Sequence, residues 1–489
     1  MLDERVSTGI PGLDEVFHGG LIKNNSYLLV GSAGAGKTIL SLEWLLDGSA
    51  RGERGLYITL AEPESKLVQN VASFGWNLAD IQLTDLTING ELGGGIAGEY
   101  HIFPPSEVEQ QPVWQSIYQA IEAHRPQRVV IDSVTQLRYL STDEYQFRKQ
   151  LLSLVGFLHQ SGCTALLAFE PTELEREASV ALAVDGIVRL RMQISENRVI
   201  GLRSIQIEKL RGSDFMSGYH PLRITSEGIV VYPHRIEEAS ELQIERTQLT
   251  SGTKELDDLL SGGLETATTT LITGPAGVGK STLTTQFLLH STSQDHKAIF
   301  YIFEESVDSV MIRSRGTGLA IDEAVRSGAL KLQRVNPMKL YPDEFLGMIR
   351  HAVEAEGRKI VAIDSLRGYS LAMEEFGTTV AHIQNMVNYL NCQGVTTFLL
   401  NEVEYITGDF KATEIGMSHL ADNIIIMRHA EYAGRVIKVI GCLKKRLGDF
   451  RPELRQLHIT AKGIQVSEHL TNLHGILTGV PVYAPDVPR

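Results

Sequence analysis

Two stretches of this chain repeat one another at a constant offset, and that duplication limits what the chain can fold into more than any other feature. Residues 7–38 contain STGIPGLDEVFHGGL and then LLVGSAGAGKT, while residues 250–281 contain TSGTKELDDLLSGGL and then LITGPAGVGKS. Gly9 pairs with Gly252, Leu13 with Leu256, Asp14 with Asp257, Gly20 with Gly263, Gly31 with Gly274 and Lys37 with Lys280, all 243 positions apart (280 − 37). Farther on, VVIDSVTQL pairs with VAIDSLRGY, and Asp132 and Asp364 are only 232 apart (364 − 132). The first copy therefore carries about eleven extra residues. Gly90–Gln111, which holds ELGGGIAGE and PPSEVEQQP, is the expected place for them, as a surface loop. A period this long describes two whole domains rather than a solenoid. We expect domains at 1–235 and 249–467, a charged linker at 236–248 (within PHRIEEASELQIERTQ), and a loose tail at 468–489 that ends in VPVYAPDVPR.

With 489 residues, 43% of them hydrophobic and 21% charged, the chain has ample material for two cores. Its net charge is 45 − 59 = −14. Such a chain repels phosphate, which argues against general nucleic-acid or anionic-membrane binding. Three cysteines, Cys163, Cys392 and Cys442, lie far apart with no CxxC. Buried free thiols in a reducing cytosol are expected, not disulfides or a zinc site. The charged start and the short apolar runs fit neither a signal peptide nor a membrane span, so a cytoplasmic location is expected.

Within each copy, short apolar runs such as NSYLLVG, GLYITL, RVVIDSV and TALLAF alternate with helical stretches. That pattern predicts an α/β fold with a mostly parallel sheet and helices on both faces. ENRVIGLRSIQIEKL and GRVIKVIGCLKKR read instead as antiparallel strands at one side.

Gly31-Ser32-Ala33-Gly34-Ala35-Gly36-Lys37-Thr38 and Gly274-Pro275-Ala276-Gly277-Val278-Gly279-Lys280-Ser281 both fit GxxxxGK[ST] between a strand and a helix. In such a loop, glycines let main-chain N–H groups curl around phosphates, and the helix start adds positive potential. Lys37 and Lys280 are placed to reach the β- and γ-phosphates of ATP. Thr38 and Ser281 offer hydroxyls to Mg²⁺. Asp132 and Asp364, each ending an apolar strand before a serine, read as the acids beside that metal. After the next strand, copy two has Glu304-Glu305 and copy one has Ala61-Glu62. A carboxylate there can orient or deprotonate an attacking water or hydroxyl.

The pre-loop motif TGIPGLDEVFHGGL resembles that of RecA-like ATPases, which implies two tandem RecA-like P-loop NTPase domains. The whole set, including the Glu pair, RVVIDSVTQL and EKLRGSDFMSGYHPLRIT, resembles the KaiC family of clock ATPases and autokinases over nearly the entire chain. That resemblance implies a homo-oligomer, a double-ring hexamer with nucleotide between subunits. It also implies cations supplied by a neighbour, at Lys209 and Arg211 in copy one and Lys444 and Arg446 in copy two. By spacing alone, Lys209 and Arg211 are a solvated edge-strand pair. The family phosphorylates itself in the second ring, and the matching segment here is KATEIGMSHLAD. Ser418 takes the serine position, His419 stands where the family has threonine, and Thr413 matches a further hydroxyl. The resemblance thus implies an ATPase and serine/threonine autokinase in clock-type or stress-type signalling, with KaiB-like or response-regulator-pathway partners. In this reading domain one, with Ala61, hydrolyses ATP slowly and mainly holds the ring. A RecA-like DNA recombinase or ring helicase stays open from the loops alone, as does a nucleotide-gated signalling scaffold. The acidic charge and the lack of a separate DNA-binding module weigh against DNA.

Overall fold

The computed structural model describes residues 4–87, 107–139, 141, 143–171, 178–195, 200–236, 246–373, 378–403, 417–432, 434–470, 473–476 and 482–483. The chain divides into two compact units, residues 1–235 and 236–489.

The first unit is built on nine strands: β1 Ser26–Gly31, β2 Gly55–Thr59, β3 Ile81–Asp85, β4 Arg128–Asp132, β5 Thr164–Phe169, β6 Gly186–Ile194, β7 Gly201–Leu210, β8 His220–Thr225 and β9 Gly228–Val231. Their order across the sheet is β9-β8-β7-β6-β1-β5-β4-β2-β3. The strands from β6 to β3 pair in parallel, and β7, β8 and β9 add antiparallel at one side. Every residue of β1, β4 and β5 is buried. This is why these segments read as unbroken apolar runs: neither face meets water. Alternate residues still serve opposite faces. Tyr27 and Leu29 join one core with Leu40 and Trp44 of helix α1 (Lys37–Ala50). Leu28 and Val30 join the other. Helix α2 (Glu64–Ala72) adds Leu67 and Val71 to the first core, and helix α3 (Glu107–His124) adds Val113, Ile117 and Ile121 to the second. Helix α4 (Glu144–Gln160) supplies Phe147, Leu151, Leu154 and Leu158, spaced as one helical stripe, to the second core. A short helix α5 (Ala178–Ala183) precedes β6.

The second unit repeats this plan with β10 Thr269–Gly274, β11 Ala298–Ile302, β12 Leu330–Arg334, β13 Ile360–Asp364, β14 Thr396–Glu402, β15 Asn423–Tyr432, β16 Arg435–Lys445, β17 Leu454–Thr460 and β18 Gly463–His469. Their order is β18-β17-β16-β15-β10-β14-β13-β11-β12, the first sheet's order strand for strand. Helices α6 (Lys280–Thr292) and α7 (Val307–Gly316) correspond to α1 and α2. No helix among the described residues is long and apolar enough to cross a membrane.

Three expectations need correcting. Most of Gly90–Gln111 lies outside the described residues, but 107–111 open α3 rather than continuing a loop. The helix extends back from a stripe of buried Val113, Ile117 and Ile121. The tail is not uniformly loose. Leu473–His474 pairs with Val482–Tyr483, and Leu470 and Ile476 pack against Ile437 and Val439. Cys163 and Cys442 are buried free thiols, whereas Cys392 is only half-buried at the end of a helix.

A half-buried carboxyl distinguishes the two units. Glu43 of α1 accepts a hydrogen bond from the Ile229 N–H at 2.8 Å, fastening the helix to β9. Burial pushes its pKa up to about 7. At the matching place, Gln286 accepts from the Ile464 N–H at 3.1 Å and donates to the Ser251 carbonyl at 3.2 Å and Thr253 Oγ1 at 2.6 Å. Because the folded state holds the Glu43 proton more tightly than the unfolded chain, this group favours folding below the usual glutamate pKa. That advantage is lost as pH rises toward 7. Glu43→Gln is therefore expected to stabilise the first unit by about 1–2 kcal/mol above pH 7, after discounting for partial exposure, with the gain shrinking toward pH 4.5. Urea denaturation of both forms across that range checks it. A gain that does not depend on pH would refute it.

Candidate functional site

Both phosphate-type loops sit where the sheet order reverses direction, beyond the carboxyl ends of β1 and β10, the place where open α/β sheets take ligands. β1 ends at Gly31 and α1 starts at Lys37; β10 ends at Gly274 and α6 starts at Lys280. Gly36 and Gly279 have φ of 110° and 115°, a left-handed backbone that side chains disfavour. At Gly279 a Cβ would also lie 2.4 Å from Ile459 Cδ1. In the first loop Ser32, Ala33 and Gly34 are exposed while Ala35 is buried; in the second, Pro275 and Val278 are buried while Ala276 and Gly277 are exposed.

Both loop lysines are buried and folded back on their own loops. Lys37 Nζ donates to the Gly31 carbonyl and, at 3.3 Å, to the Ser32 carbonyl and Glu170 Oε1. Lys280 Nζ donates to the Gly274 and Pro275 carbonyls at 2.7 and 2.9 Å and lies 3.9 Å from Glu402. Burial lowers the Lys280 pKa, opposed by Glu402, Asp364 and Glu304. Thr38 Oγ1 donates to Asp132 Oδ2 at 2.8 Å, and the Tyr57 hydroxyl donates to the same oxygen at 2.6 Å. Ser281 Oγ donates to Asp364 Oδ2. Where copy one has Tyr57, copy two has Phe300. Burial raises the Asp364 pKa to about 6, helped by Glu305 and Glu304 and opposed by Ser281 and Lys280.

In the second unit, Lys280, Ser281, Glu304, Glu305, Asp364 and Glu402 line a single cleft of about 550 Å³ together with Gly277 and Gly279. A hydroxyl beside a carboxylate is an oxygen donor set suited to Mg²⁺, and a buried ammonium at a glycine loop suits a triphosphate. The residues present therefore fit a magnesium–nucleoside triphosphate.

The acids after β2 and β11 have different partners. Glu62 Oε1 accepts from Asn70 Nδ2 at 2.8 Å and lies 3.6 Å from Lys66, while Ala61 is exposed. Glu304 Oε1 accepts from Ser365 Oγ at 2.6 Å, and Glu305 is paired with Arg313. The cations expected from a neighbour are tied down within their own chain. Lys209 donates to the carbonyls of Ala181, Leu182 and Val184, and Arg211 to that of Leu182. Lys444 donates to the carbonyls of Ser418 and Ala421, and Arg446 reaches His419 and Asp422. Ser418 sits half-buried in a single 3-10 turn, Met417–His419. Thr413 lies outside the described residues.

Sequence reasoning missed several residues of this neighbourhood. Glu170 and Glu402 end or follow the strands beside the loops and face the two lysines. They are 232 apart (402 − 170), the offset of Asp132 and Asp364, which is a signal that could have found them. Arg203 and Lys438 donate to the carbonyls of Gly34 and Gly277 at 3.3 and 2.9 Å from neighbouring antiparallel strands. Asn70 and Arg313 are again 243 apart (313 − 70).

A family model described as ATPase: KaiC matches residues 6–236 and 249–471. The "Circadian clock protein KaiC3" of Synechocystis sp. is 26% identical over 98% of this chain and 95% of its own length. The "Circadian clock oscillator protein KaiC" of Prochlorococcus marinus (strain MIT 9313) is 27% identical over 99% of this chain and 97% of its own. That of Nostoc sp. is 28% identical over 98% and 92%.

Proposed function

Because the chain belongs to the KaiC ATPase family, we propose that it hydrolyses ATP as a hexameric double ring and phosphorylates its own Ser418 in the second domain. The observation that carries this reading is the second cleft, where loop lysine, hydroxyl, metal-type acid and a further carboxylate share one space of about 550 Å³. Lys280 and the loop hold the triphosphate. Ser281 and Asp364, and Thr38 and Asp132 in the first domain, would hold a Mg²⁺ ion, which would supply positive charge to offset that of the phosphates. Glu304 orients the attacking water and takes its proton. In self-phosphorylation the Ser418 hydroxyl of an adjoining protomer replaces that water. The new O–P bond forms as the β,γ-anhydride breaks, the proton passes to Glu304 and ADP leaves. Lys444 and Arg446 are the cations offered across the boundary, and Lys209 and Arg211 their counterparts in the first ring. The first domain, with Ala61, holds nucleotide and the ring more than it turns nucleotide over. The relatives' names support a role in clock-type signalling, and KaiB-like or response-regulator-pathway proteins are the partners this reading assigns to it. Stress-type signalling fits the same chemistry.

Incubating the purified protein with ATP, then measuring released phosphate, intact mass and phosphosites, tests this reading. Ser418→Ala is expected to eliminate label incorporated from γ-labelled ATP; retained label would move the acceptor elsewhere. Lys37→Ala is expected to weaken the ATP-dependent hexamer, and an unchanged oligomer on native mass spectrometry would contradict the division of labour. Strong stimulation of hydrolysis by single-stranded DNA would favour the recombinase or helicase reading.

A further inference from the structure

The acids after β2 and β11 are tethered by one device built twice. In each copy a side chain eight residues later, one turn or more into the following helix, reaches back to the acid. In the first unit the tether is the neutral Asn70 amide on Glu62, at 2.8 Å. In the second it is the Arg313 guanidinium, whose Nη1 donates to both Glu305 oxygens at 2.7 and 2.6 Å. The remaining Arg313 groups, Nε and Nη2, are buried and find no hydrogen-bond partner among the described residues, so Glu305 is the acceptor on which this cation depends. Adjacent Glu304, which has no counterpart at Ala61, accepts among the described residues only a neutral hydroxyl, that of Ser365. Two neighbouring carboxylates of one cleft are thus unequal. Both oxygens of Glu305 are occupied by a half-buried guanidinium in a charge-assisted pair, whereas Glu304 meets one neutral hydroxyl.

Resting on the hydrolysis reading above, we propose that Arg313 is a positioning residue of the second domain: it withdraws Glu305 from proton transfer and leaves Glu304 to take the proton. The first domain lacks the first carboxylate, and its Glu62 has the Asn70 amide where Glu305 has Arg313, with the exposed Lys66 ammonium no nearer than 3.6 Å.

The test uses the full-length protein and follows phosphate release together with fluorescent ATP-analogue affinity. Glu304→Gln is expected to lower kcat at least about tenfold more than Glu305→Gln does. On the Glu304→Gln background, adding Arg313→Asn, the residue type the first unit carries here, replaces the ion pair on Glu305 by a neutral hydrogen bond and should raise kcat several-fold with nucleotide affinity unchanged. Adding Arg313→Lys, which keeps the ion pair, should leave it at the floor. Equal losses for the two glutamine variants overturn the proposal, and so does a flat response to Arg313→Asn in protein that still binds nucleotide. If the double variant fails to bind nucleotide, the comparison of the two glutamine variants decides alone. An unmutated protein that releases no phosphate would refute the hydrolysis reading itself, a result distinct from either.

Discussion

Lys280→Ala is expected to weaken ATP binding in the second domain by roughly a hundred- to two-hundredfold, about 3 kcal/mol, and to abolish phosphate incorporation. The reason is its position. Lys280 is 7% exposed, and its ammonium rests on the Gly274 and Pro275 carbonyls, with Glu402, Asp364 and Glu304 around it. Removing it leaves a triphosphate facing three carboxylates with no buried cation between them. Isothermal titration with a non-hydrolysable ATP analogue, read against Lys37→Ala, checks this. Undiminished affinity at the second site would mean that the loop lysine does not carry the phosphates.

Glu304→Gln is expected to cut phosphate release from the second domain by roughly a hundred- to ten-thousandfold while nucleotide affinity stays within a few-fold. The amide keeps the shape and still accepts from Ser365, but it cannot take a proton. A variant that loses affinity and turnover together would place Glu304 in binding rather than in proton transfer. The reverse experiment is available in the first domain, where Ala61→Glu restores the absent carboxylate. There Glu62 keeps its neutral hydrogen bond from Asn70, and the gain in turnover is read against that side chain acting alone.

The architecture was legible because its signals are local. SYLLVG and TALLAF are buried throughout, so their apolar runs announced parallel strands. The GxxxxGK[ST] spacing marked where helices start, at Lys37 and Lys280. What the sequence hid depends on topology. Glu170 and Glu402 reach the loop lysines only because β5 and β14 lie directly beside β1 and β10. Nothing near them in the chain reveals that adjacency. Arg313 looks like any charged residue on a half-exposed helix until its partner eight residues back is seen. Arg203 and Lys438 come from the antiparallel side strands, whose hairpin register decides which residue meets the loop. Helix α3 begins earlier than its polar EVEQQ suggested, since the buried residues that hold it come later in the segment.

Identical strand order in the two sheets makes each half of the polypeptide a yardstick for the other. Seats occupied by Ala61, Asn70, Tyr57 and Glu43 recur as Glu304, Arg313, Phe300 and Gln286 on an equivalent frame. Grafting one half's residue into its twin's socket changes the chemistry while the threading of the backbone stays the same. Evolution has already run that comparison inside a single molecule, and reciprocal grafts would show which few side chains set the chemistry of one half apart from that of the other.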